Sequence, residues 1–177
     1  MTASFTPGGV PDGARRRIQA STKLLHEWSI MQPWERPPIY ELRIGPTPLV
    51  ANAPVLTPKI EALLRNFNRY ADMIGITPTE LQVIEAKMVA EPGAISQLQH
   101  YVDLVHTTPQ LAPYAARRVQ GVLLFAVGDP IVAQRAQQAG LRVIIFTPAW
   151  TQEYLNLKYF RRQSVIPAVT PGGPNED

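Results

Sequence analysis

Two carboxylates and an ammonium interrupt a stretch that otherwise reads as two apolar strands: Asp72, Glu85 and Lys87 in RYADMIGITPTELQVIEAK, residues 69–87. Side chains alternate along a strand, so Leu81, Val83, Glu85 and Lys87 share one face while Gln82, Ile84, Ala86 and Met88 take the other. Asp72 lies in the preceding strand with Tyr70 and Ile74 on its face, and the short polar turn TPTE lets it lie beside Glu85. Hard divalent cations such as Mg²⁺ bind oxygen and keep several waters. Asp72, Glu85 and one backbone carbonyl, that of Ala86, therefore suffice to hold one beside a phosphate. A cation held there polarises a phosphoryl oxygen and lowers the pKa of a bound water. Lys87 would orient that water or offset the charge developing on the phosphate. Without a cation the carboxylates repel, and one tends to keep its proton. The plainer reading of Glu85 and Lys87 is a solvated strand end or a surface ion pair, which contributes little.

The elements that would position these residues are legible around them. RYADMIGI and LQVIEAKM read as antiparallel neighbours across the turn. GAISQLQHYVDLVHTT follows as a helix with Ile95, Leu98, Val102 and Val105 on one side. GVLLFAV is a continuous apolar run of the kind found in strands buried on both faces. DPIVAQRAQQAG opens with Asp129 as a cap and Pro130 in the first turn and stops at Gly140, so it reads as a helix before the strand LRVIIF. Upstream, Asp12 is placed to cap a helix over GARRRIQASTKLLHEWSI, PPIYELRIGPTPLV reads as extended, and TPKIEALLRNF reads as a short helix capped by Thr57. The order predicts an α/β fold: a mixed central sheet, made of an antiparallel hairpin plus buried strands, flanked by helices.

Length favours a single domain, expected over residues 12–162, between a flexible N-terminal tail, 1–11, and a flexible Pro/Gly-rich C-terminal tail, 163–177. Half of the 18 prolines fall in the first 60 residues and three more in the tail IPAVTPGGPNED, which is why the ends read as irregular. With 17 Lys+Arg against 14 Asp+Glu the chain is mildly basic, so a nucleic-acid partner is permitted without being demanded. The absence of cysteine excludes disulfides, thiolate zinc sites and a cysteine nucleophile, leaving oxygen or histidine ligands for any metal. No apolar run approaches the roughly 20 residues of a membrane helix, and the N-terminus lacks the order of a signal peptide. A soluble, cytoplasmic protein is expected, in the host cytoplasm if phage-encoded.

The pattern resembles the PD-(D/E)xK nuclease superfamily, in which an acidic residue in one strand precedes an acidic-x-Lys triplet on the next. Here these are Asp72 and Glu85-Ala86-Lys87. Closest in motif is the RecB-like and lambda-exonuclease-like branch, whose following helix carries Gln-x-x-x-Tyr, matched by Gln97 and Tyr101; four residues apart on a helix is one face. The resemblance spans roughly residues 69 to 127. It implies a restriction-endonuclease-like core and Mg²⁺-dependent hydrolysis of DNA phosphodiesters, with Mn²⁺ substituting. Asp72, Glu85 and the Ala86 carbonyl would be metal ligands, Lys87 the water-orienting base or charge stabiliser, and Gln97 and Tyr101 supporting polar groups. Relatives that add a ligand from an early helix point to His26 or Glu27. Arg65, Arg69, Arg117 and Arg118 would meet phosphates, and so would Lys158, Arg161 and Arg162 in EYLNLKYFRRQ, where basic and aromatic residues interleave. That last segment equally suits a plain amphipathic helix. The alternative is a nuclease fold used as a DNA-binding or assembly component of a larger complex such as a phage particle, as a homo-oligomer or with other proteins.

Overall fold

The computed structural model describes residues 12–46 and 69–160, with the backbone alone for 12–19 and for 159 and 160. The helix expected over 57–67, both tails, Arg65, Arg161 and Arg162 lie outside the described residues. The chain divides into two compact units, Met1–Thr147 and Pro148–Asp177. The first holds a five-stranded sheet in sequential order, β1 (Ile39–Arg43), β2 (Tyr70–Ile76), β3 (Glu80–Val89), β4 (Arg118–Val127) and β5 (Arg142–Ile145). β1, β2 and β3 run antiparallel to their neighbours, and β3, β4 and β5 run parallel. It is the mixed sheet flanked by helices that the sequence predicts.

Parallel neighbours need crossovers, and here both are helical: α2 (Gly93–Leu104) joins β3 to β4, and α3 (Pro130–Gln138) joins β4 to β5. α3 starts where the sequence placed it, because the Asp129 carboxylate accepts from the N–H groups of Ile131 and Val132 at 2.8 and 3.0 Å. Leu98 and Tyr101 of α2 and Val132 and Ala136 of α3 share one core with Val83, Leu123 and Phe125 of the sheet. By alternation Glu85 and Lys87 belong to this face. The opposite face carries Met73, Gly75, Ile84, Ala86, Val122 and Leu124 and receives α1 (Asp12–Ser29), whose Leu24, Leu25 and Trp28 are buried. In the second unit α4 (Thr151–Phe160) is helical, with Lys158 in its last turn.

One element starts earlier than the apolar run suggests. β4 begins at Arg118, three residues before the apolar run, because Arg118, Val119 and Gln120 pair with Glu80, Leu81 and Gln82. Of the extended reading of 37–50, the described part, up to residue 46, holds β1, and 47–50 lie outside the described residues. Gly45, at φ 94°, turns the chain after β1, and its N–H donates to the Thr108 hydroxyl at 2.8 Å.

The turn between β2 and β3 is held from within and from afar. Thr77 Oγ1 accepts from the Glu80 N–H at 3.0 Å, and the Arg117 guanidinium donates to the Thr77 carbonyl while pairing with both oxygens of Glu35. Beside that hairpin, Trp34 lies edge-on to Trp28 and is fixed by its indole N–H on the Ser29 carbonyl, 2.9 Å away. Its ring occupies the space over Gly75: a Cβ there would sit 2.3 Å from a ring carbon. A ring cannot yield as a flexible side-chain tip does, so Gly75→Ala is expected to destabilise the fold by about 1–3 kcal/mol. Urea unfolding checks this, with a lower midpoint at unchanged slope as the expected result.

Candidate active site

The β2–β3 ladder pairs Ile76 with Leu81, Ile74 with Val83 and Met73 with Ile84. Its next pair would be Asp72 with Glu85. At that point a side chain replaces the backbone: the Ala86 N–H donates to Asp72 Oδ2 at 2.8 Å. One carboxylate is thereby pinned against β3. The N–H and C=O of a strand residue point toward the same neighbour, so the Ala86 carbonyl is directed toward β2 as well.

Glu85 is the centre of the arrangement. It is 1 % exposed, and its Oε1 accepts from Lys87 Nζ at 2.7 Å and from Gln97 Nε2 at 2.8 Å. Gln97 also donates to the Tyr101 hydroxyl at 3.1 Å. Gln97 and Tyr101 thus look back from α2 at the hairpin, as their spacing predicts. Glu85 Oε2 is buried and has no hydrogen-bond partner. Such an oxygen on a group that carries charge is expensive to leave unmatched, and a proton, a cation or a bound water would match it.

The proton affinities follow this geometry. Burial, and next the Asp72 charge, push the Glu85 carboxyl up to about 7 against the opposing pull of Lys87 and Gln97. Asp72 is also raised, by burial and by the charge of Glu41, which outweigh the Ala86 N–H and Lys87. Lys87 loses some basicity to burial, but Glu85 and Asp72 more than restore it, so it stays an ammonium. Burial raises the Tyr101 phenol, which therefore remains protonated near neutrality.

The fit to a hard divalent cation rests on the donor set and the orphaned oxygen. Asp72 and Glu85 offer carboxylate oxygens from adjacent strands, the Ala86 carbonyl is directed to the same place, and Glu85 Oε2 lacks any other partner. Among the described residues no three His, Asp or Glu side chains stand together as a ready-made metal site. A cation here would complete its shell with waters or substrate oxygens, as Mg²⁺ does.

Other residues singled out from the sequence are placed elsewhere. His26 lies against the Tyr40 ring, at 6.2 Å between centroids, and Glu27 pairs with Lys23 along α1 at 3.8 Å. α1 covers the face of the sheet opposite Glu85, so neither is brought to the carboxylates. Arg117 is taken up by Glu35 and Thr77, and Arg118 faces Gln120 at 3.3 Å. Both lie at the Glu80 end of β3, about 16–17 Å from Glu85 at the rise of a strand. Arg69 is exposed just before β2, three residues from Asp72, and among the described residues is the one predicted arginine at that end of the strand. Lys158 belongs to the second unit. Glu41, between Tyr40 and Leu42 on β1, was missed: nothing in PPIYELRIG separates it from an ordinary strand residue, yet it falls between the pairs Tyr40–Met73 and Leu42–Ala71, at the level of Asp72, whose carboxyl feels its charge.

No family model, no curated protein and no solved structure matches this chain.

Proposed function

We propose that this chain is a Mg²⁺-dependent deoxyribonuclease of the PD-(D/E)xK type, with a restriction-endonuclease-like core. The observation that carries the reading is Glu85: a buried carboxylate tied on one oxygen by Lys87 and Gln97, orphaned on the other, and next in register to Asp72. A mere ion pair at a strand end would leave both oxygens in water. The sheet order, with a hairpin carrying both carboxylates and a crossover helix carrying Gln97 and Tyr101, supports the same reading. DNA as the substrate comes from the resemblance of the motif.

Asp72, Glu85 and the Ala86 carbonyl would hold the cation, which supplies an activated water and stabilises charge on the phosphate. The chain's own residues do the rest. The Ala86 N–H fixes the Asp72 carboxylate, so little reorganisation is needed when substrate arrives. Gln97 holds Glu85 in place and is itself positioned by the packing of α2. The Lys87 side chain is 28 % exposed, close enough to the carboxylates to remain charged and open enough to reach a phosphate oxygen or the attacking water. Tyr101 closes the network from the core side.

Incubation of the purified protein with single-stranded, duplex and branched DNA tests this. Cleavage is expected with Mg²⁺ or Mn²⁺ and is abolished by EDTA. If all three substrates remain intact with either cation, or are cut no faster by the wild type than by Lys87→Ala, the proposal is wrong.

A further inference from the structure

Among the described residues Glu41 is the only one other than glycine with a positive φ, 50°. It sits inside a ladder whose register is unbroken, Tyr40 pairing with Met73 before it and Leu42 with Ala71 after it, so no extra residue explains the backbone. Glutamate has neither the freedom of glycine nor the short polar side chain with which Asn and Asp tolerate this region. Strained conformations of this kind persist where the surroundings impose them and concentrate at functional sites. Glu41 falls at the level of Asp72, between the pairs Tyr40–Met73 and Leu42–Ala71, and Asp72 in turn is bonded to the Ala86 N–H beside Glu85, so the three carboxylates follow one another on three neighbouring strands. Carboxylates directly opposite one another in a sheet are destabilising, and Lys87 offsets only part of this charge. The independent sign of a ligand is Glu85 Oε2, buried in that row without a partner.

We infer that Glu41 is a third oxygen donor of the cation site, presented from β1 across Asp72 by its left-handed backbone. The inference rests on the metal-dependent reading above and assigns the site a residue that the motif does not contain. Glu41 does not stand with Asp72 and Glu85 as a ready-made site, so the inference requires its exposed side chain to close on a cation that the Asp72 and Glu85 pair already holds. Its charge is felt at Asp72, which is what proximity requires.

The test is calorimetric titration of the full chain with Mn²⁺ alone at pH 8, for the wild type and for Glu41→Gln, Glu41→Gly, Glu91→Gln and Asp72→Asn. Glu91 is exposed and its charge reaches Lys87, so its variant controls for a general loss of negative potential. Both Glu41 variants are expected to bind Mn²⁺ ~10–100-fold more weakly, the range typical of losing a supporting group in a metal site. Glu91→Gln should stay within about twofold, since an exposed charge acts mainly through screened potential. Without metal, Glu41→Gly should melt about 2–4 °C higher, because glycine accepts the backbone freely and one carboxylate leaves the row. If the Glu41 variants match Glu91→Gln while Asp72→Asn loses binding, the inference is overturned and the cation site stands. A wild type that binds no Mn²⁺ overturns both. A lower melting temperature for Glu41→Gly assigns the residue to the fold and also overturns the inference.

Discussion

Lys87→Ala is expected to lower single-turnover cleavage of DNA by ~10²–10³-fold, the usual effect of removing one group that stabilises charge in a transition state. Two consequences of the substitution have to be separated. Lys87 donates to Glu85 Oε1 at 2.7 Å and holds down the proton affinity of that carboxyl, so its loss drives Glu85 further toward its neutral form. A protonated Glu85 is a poor cation ligand, and part of the defect at pH 7 is therefore weaker metal binding. Raising the pH to 8.5 and saturating with Mn²⁺ should restore that part. The remaining deficit belongs to Lys87 itself, at the phosphate or the attacking water. Full recovery of the rate under those conditions would show that Lys87 serves only to keep Glu85 ionised.

The motif was legible because it depends on local spacing. Alternation places Glu85 and Lys87 on one face, the four-residue interval puts Gln97 and Tyr101 on one side of a helix, and TPTE closes the hairpin that brings Asp72 alongside. The helix start at Asp129 was legible for the same reason, being written within three residues. What failed to show is set by distant parts of the chain. Arg117 meets Glu35 across 82 residues, and no local signal distinguishes an arginine destined for that pair from one left free for phosphate. The side of the sheet that α1 covers decides where His26 and Glu27 lie, and an amphipathic stripe carries no information on which of two apolar faces it will meet. Glu41 is the converse case. Propensity argues against a left-handed glutamate, so its conformation is imposed by the strands around it and is invisible in its own neighbourhood.

Without metal, the protein is expected to be more stable at pH 5 than at pH 8. The Glu85 carboxyl is raised from 4.5 to about 7 in the folded state, so the folded chain binds this proton more tightly than the unfolded chain. The associated stability is fully present below about 4.5 and is lost as pH rises through about 7. The full displacement corresponds to about 3 kcal/mol at 1.36 kcal/mol per pH unit, roughly 6–12 °C in melting temperature for a chain of this size. Asp72, also raised, acts in the same direction. Lys87, raised above 10.5, stays charged in both states across this range and adds no slope. Gln97 does not titrate, and the Tyr101 phenol stays protonated throughout. Glu35, lowered by Arg117, has the opposite sign but acts below its ordinary value of 4.5, outside the window. Melting curves in EDTA between pH 5 and 8 measure the slope, and Glu85→Gln, which mimics the neutral form, should flatten most of it. Mn²⁺ competes with the same proton, so it should stabilise the wild type far more at pH 8 than at pH 5. Equal stabilisation at both values, or a slope that survives Glu85→Gln, would place the cation and the titrating group somewhere other than the Asp72 and Glu85 pair.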